Sequence, residues 1–210
     1  MSEILQSDDS CTLSAHSLRL NFAWDGTRWA HNVEAGDLLL ASTLEWEPGA
    51  GDPTRVVSPA FQQMSIQQEG DSSRALLVGQ WGHHHFSGVF TLTGDASGTV
   101  LIEADVAVRT RGALEALAST YRVDLTSSDL IDADRSAIEW AVNSGSPGRL
   151  RFEAGAAPSM GVSMAEAGRR MTRVQANAAL VSGPAASYRL LYRWRWIADS
   201  RGDASFAPRP

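Results

Sequence analysis

The feature that most restricts how this chain can fold is a period-two alternation of large apolar and polar residues that returns again and again along it. It is sharpest near the end. In "SYRLLYRWRWIAD" Tyr188, Leu190, Tyr192, Trp194 and Trp196 fall on one parity, and Arg189, Arg193 and Arg195 on the other. Successive side chains of a strand point to opposite faces, so this segment reads as a strand with an aromatic face and a cationic face. An aromatic face of this size needs a partner sheet, a ligand or a second subunit to cover it.

The same period appears from Ser17. Leu18, Leu20, Phe22 and Trp24 alternate with Arg19, Asn21 and Ala23; Asp25-Gly26 is a two-residue hairpin signal, and "TRWAHNV" returns as the partner strand. "DLLLASTLEWE" places Leu38, Leu40, Ser42, Leu44 and Trp46 on one face and is closed by the turn-rich "PGAGDP". "RALLVGQWG" and "HHHFSGVFTLTG" read as two further strands. In "TVLIEADVAVRT", Val100, Ile102, Ala104, Val106 and Val108 oppose Glu103, Asp105 and Arg109. Six strand-like segments without an intervening helix argue for antiparallel sheet.

The middle third reads differently. "SSDLIDADRSAIEWAVNSG" has Ile131, Ile138 and Val142 at helix-compatible spacing after a cap at Ser128 or Asp129, and predicts a short helix. "SMAEAGRRMTRVQANAAL" begins with helix-favouring alanines and alternates from Arg170 onwards, which predicts a strand there. With no repeat and no linker, residues 1–200 form one domain: a mainly β protein, a large antiparallel β-sandwich with one or two short helices on its rim. Residues 201–210, rich in proline and small residues, are expected to be a disordered tail. Its Arg201-Gly202-Asp203 matches an adhesion tripeptide that three residues reproduce often by chance.

Composition narrows the chemistry. The net charge is -6, which argues against nucleic acid or an anionic membrane as partner. All 18 basic residues are arginine, so Schiff-base and phosphate-loop lysine mechanisms are excluded. Cys11 is the only cysteine, which rules out an intramolecular disulfide and cysteine-rich zinc motifs, and its place near a terminus makes it a poor nucleophile. No apolar run is long enough for a membrane helix and no signal-like segment opens the chain, so a cytoplasmic protein is expected.

The candidate site is "GQWGHHHFSG". On a continuous strand His83 and His85 share one face with Trp81, while His84 points away. Two imidazoles on one face suit a single divalent metal or an acid and base pair beside a sugar ring. His31, Glu45 or Glu47 could complete a metal set if their strands are neighbours. Tryptophans on sheets beside histidine, arginine and carboxylates also build sugar-binding surfaces. Trp81, Trp29, His31 and Arg109 are the ligand-binding candidates, and His83, His85, Glu45 and Glu103 the catalytic ones.

The spacing His-x-His on a strand resembles the first motif of the cupin barrels, although "FSGVFTLTGD" has no glutamate at the position that motif carries one. A large antiparallel sandwich with tryptophan and histidine on one sheet is similar to the galactose-mutarotase-like super-sandwich proteins. That resemblance implies a histidine acid, His83 or His85, and a glutamate base, Glu45, Glu47 or Glu103. Three readings are open: a binder of a small carbohydrate or similar polar ligand near Trp81, His83 and His85; a cupin-like or mutarotase-like sugar enzyme using the same histidines; and a non-catalytic assembly protein, a homodimer through its aromatic last strand.

Overall fold

A computed structural model describes residues 2–44, 52, 54–126, 128–143, 147–155, 160–166, 171–180 and 186–199. These residues contain strands and no helix. In chain order the strands are β1 (Ser2–Gln6), β2 (Ser10–Ala15), β3 (Leu18–Trp24), β4 (Trp29–Ala35), β5 (Leu38–Thr43), β6 (Arg55–Val56), β7 (Gln63–Glu69), β8 (Ser72–Trp81) and β9 (His84–Gly94). They continue with β10 (Thr99–Thr110), β11 (Ala116–Asp124), β12 (Ser128–Ala133), β13 (Ala137–Val142), β14 (Gly148–Ala154), β15 (Met160–Glu166), β16 (Met171–Ala178) and β17 (Ala186–Ala198).

Two antiparallel sheets stack face to face. The first runs β1-β2-β3-β4-β5-β11-β16-β15, with the short β6 alongside β11 in parallel; the second runs β12-β13-β14-β17-β10-β9-β8-β7. The last strand is inserted between β10 and β14, at the centre of its sheet. Its aromatic face lies inside the sandwich, with Tyr192, Trp194 and Trp196 essentially inaccessible. The partner sheet covers that face, so it cannot be the surface of a homodimer. Trp194 stacks on Trp140 and meets Tyr121 edge to face, and Trp196 Nε1 donates to Ser17 Oγ at 3.1 Å, tying the sheets together.

Several expectations are corrected. The segment read as a helix is the β12–β13 hairpin, because "AIEWAV" also has period two. As a strand it buries Ile138, Trp140 and Val142 together, whereas a helix would turn Trp140 away from the other two. The "SMAE" that opens the ambiguous segment belongs to β15, while the strand expected from Arg170 is β16. The connection after Trp24 takes four residues, not two: Asp25 accepts hydrogen bonds from the Thr27 and Arg28 amides and the Thr27 hydroxyl. On β5 a bulge opposite Val33/Glu34 breaks the parity, so Leu40 and Ala41 are both buried and Ser42 is only half-buried. Cys11 is not on a loose terminus; it sits in the core on β2, and burial pushes its thiol up to about 11. Glu45, Trp46, Glu47 and the tail 201–210 lie outside the described residues.

One connection crosses between the sheets and forms one wall of the outer surface beside β8. Residues 57–62 run from β6 to β7. The Thr120 hydroxyl donates to the Val57 carbonyl and the Trp29 amide to the Phe61 carbonyl, both from the first sheet; the Gln62 amide donates to the Val78 carbonyl on the second. Phe61 is buried between the sheets against Phe90. Gly79 makes this approach feasible, since a Cβ there would collide with the Ala60 carbonyl.

Candidate ligand-binding surface

The histidine run is divided by a turn. Trp81 ends β8, Gly82 and His83 form a two-residue connection with Gly82 at φ +58°, and His84 opens β9. A glycine at positive φ in the first turn position is the requirement of a tight hairpin. The turn resets the parity, so Trp81 pairs directly with His84 on the inner face. Their rings are 6.2 Å apart, and Trp81 packs half-buried against the core edge. His83 is exposed in the turn, and His85 is exposed on the outer face of the second sheet. Trp81 and His85 therefore point to opposite sides.

His84 has a structural role. It is buried, with Nδ1 2.8 Å from the Thr110 hydroxyl; that hydroxyl donates to the Gly112 carbonyl and accepts from the Gly112 amide. With the hydroxyl proton committed to Gly112, Nδ1–H of His84 is the donor to Thr110. The contact fixes the end of β10, so Arg109 and the residues after Thr110 are set in place by the inner histidine.

On the outer face the register places Arg109 opposite His85, and Gln80 opposite His85 on the other side. A depression of about 360 Å³ opens there, lined by Gln62, Gln63, Val78, Gly79, Gln80, His85 and Phe86. Its wall is held by the crossing segment: Gln62 Nε2 donates to the Gln80 carbonyl and the Gln80 amide donates to Gln62 Oε1. Gln80 Nε2 donates to the Gly82 carbonyl. The glutamines escape a sequence reading that follows aromatic and titratable residues; "FQQM" and "GQWG" are the available signal.

The other candidates are elsewhere. Glu103 is six residues along β10 from Arg109, roughly 20 Å at strand rise, and pairs with Arg193 at 2.9 Å. It cannot act with His85 on one sugar ring. A second depression of about 370 Å³ lies there, but Glu103 and Asp105 lining it are bound to Arg193 and Arg189. Trp29 is on the first sheet beside Trp24, ring centroids 5.7 Å apart. His31 is inside the sandwich: Nε2 is 2.7 Å from the Tyr121 hydroxyl, which lies 2.8 Å from that of Tyr192, itself 2.8 Å from the Ser119 hydroxyl. Burial drives the His31 pKa down to about 3.

His83, His85 and His31 therefore do not form one metal set. Among the described residues, no group of three histidine, cysteine or carboxylate side chains is placed to hold a metal ion. No helix there is long and apolar enough to cross a membrane. No protein-family model matches this chain, and no curated protein matches it.

Proposed function

We propose that this protein binds a small carbohydrate on the outer face of its second sheet, in the depression beside His85. The observation that carries this reading is the lining: three glutamines and one histidine around the exposed side chain of Val78. Amide side chains donate and accept together, which is what a sugar hydroxyl requires of its partner. Val78 and the flat His85 ring give the apolar contact that the sequence leads one to expect of Trp81. The volume lies near the lower end of small-molecule sites, which fits one or two sugar rings. Sugar as the ligand class agrees with the resemblance to galactose-mutarotase-like proteins, a likeness of architecture that does not itself establish function.

The test is a thermal-shift titration of the wild type against a panel of hexoses and disaccharides, repeated with Gln80→Ala and His85→Ala. At least one sugar should raise the melting temperature of the wild type, and either substitution should remove that rise while leaving the unliganded melting temperature within a few degrees, since both side chains are exposed. A wild type indifferent to every sugar ends the proposal.

A further inference from the structure

We propose that the sugar carries an acidic group, and that His83, His85, Arg109 and Arg111 bind it as an oxyanion site at the edge of the same depression; this rests on the carbohydrate reading above. The backbone positions of the four residues are brought together by the register and by one contact beyond it. Arg109 lies opposite His85 across β9 and β10. Just beyond, the Arg111 amide donates to the His83 carbonyl at 3.3 Å, and the His83 ring lies over Gly112, where an added Cβ would be 3.9 Å from Cδ2. All four side chains are exposed.

The rest of this sheet face is built on the opposite plan. Arg74 meets Glu69, Arg149 and Arg151 meet Glu139, Arg195 meets Glu153, Arg193 meets Glu103, and Arg189 meets Asp105 in a two-pronged contact. Among the described residues Arg109 and Arg111 have no carboxylate partner, and the neighbours across from their row are Gln80 and Ser187. A chain of net charge -6 has acidic residues to spare, so leaving two arginines without a carboxylate at this end of β10 is a local departure. Cations placed side by side on a sheet repel one another, and a bound anion relieves that cost.

The donors suit the task. Guanidinium groups offer paired N–H donors to carboxylate or phosphate, and imidazoles add single donors around them. The backbone beneath is anchored by the His84–Thr110–Gly112 contacts, so the main chain that carries the donors needs little rearrangement. Four residues are too few to follow a polyanion strand, whose affinity comes from many phosphate contacts. His85 belongs both to the cluster and to the amide-lined depression, so one ligand with hydroxyls and a carboxylate or phosphate would engage both.

Isothermal titration at low ionic strength, with glucose, glucuronate, glucose 6-phosphate and inorganic phosphate as probes, tests this on the wild type and on an Arg109→Gln/Arg111→Gln variant. Glucuronate or glucose 6-phosphate should bind roughly 10- to 100-fold more tightly than glucose, the scale of one charge-assisted contact, and the variant should lose that advantage while retaining glucose binding. Whichever acidic sugar is preferred identifies the oxyanion. Equal affinity for glucose and both acidic sugars overturns the acidic-sugar inference and leaves the carbohydrate reading standing. Inorganic phosphate binding as tightly as glucose 6-phosphate, with no response to glucose or glucuronate, overturns both.

Discussion

His31 is the residue whose environment has the clearest consequence. It is buried among Phe22, Phe90 and Tyr121, and among the described residues Nδ1 has no hydrogen-bond partner. In the unfolded chain its imidazole takes up a proton near pH 6.5, whereas in the folded protein it does so only near pH 3. Between those values the unfolded state binds the extra proton, so stability falls as the pH falls through that window, by up to about 1.4 kcal/mol per pH unit from this group. His31→Gln, which cannot titrate, should flatten urea-derived stability between pH 6.5 and 3 while costing about 1–3 kcal/mol at pH 7; an unchanged slope would show that His31 does not control it. Gly79 gives a second prediction at this scale. Gly79→Ala should destabilise by about 1–3 kcal/mol or more, because the new methyl meets backbone at Ala60. A melting temperature equal to that of the wild type would mean that residues 60–62 do not cross against Gly79.

At the scale of elements, the β8–β9 hairpin shows what could and could not be read from residues alone. Both strands were legible from their alternation, and so was the opposition of His84 and His85 across the sheet. The face of Trp81 was not, because parity counted through "WGHHH" ignores the turn at Gly82-His83, although a glycine followed by a free residue is itself a hairpin signal. Trp81→Ala should therefore act on stability, costing about 2 kcal/mol for a half-buried ring, and leave sugar binding intact; loss of binding at unchanged stability would restore Trp81 to the site. The β12–β13 hairpin was misread for a related reason: Ile131, Ile138 and Val142 satisfy a helical spacing, and only the buried Trp140 shows which period applies. A further device was legible only in part: Asp25-Gly26 and "PGAGDP" carry turn signals, but the aspartate side chain that closes them was not read. Asp25-Gly-Thr27, Asp52-Pro-Thr54, Asp95-Ala-Ser97, Asp124-Leu-Thr126 and Asp134-Arg-Ser136 each place an aspartate carboxylate on the amide two residues later. These Asx turns mark connections between strands. Hydrogen bonds from Thr54, Ser97 and Ser136 hold the carboxyls of Asp52, Asp95 and Asp134 below their ordinary pKa. Their contribution is present above about pH 4 and lost below it, a window lower than that of His31.

At the scale of the molecule, the sandwich was legible because several strands repeat the same period, with β10 and β17 giving the longest stretches, whereas the central β11, buried on both faces from Leu117 to Tyr121, carries no such alternation and was not legible. The pairing of the sheets was not. Nothing in the local pattern says that β17 enters between β10 and β14, or that β5 continues onto β11, since both join segments distant in sequence. That pairing sorted the candidates: it sent His31 and the aromatic strand inside, paired Glu103 with Arg193, and brought His85 to Arg109 on the outer face. The most direct check is the accessibility of each histidine to diethyl pyrocarbonate, resolved by mass spectrometry, without ligand and with the most stabilising sugar of the panel. His83 and His85 should be modified and His31 and His84 protected in the free protein, with His85 becoming protected when the sugar is bound. Modification of His84 ahead of His85, or a His85 whose reactivity no sugar changes, would contradict the placement of the binding surface on this face.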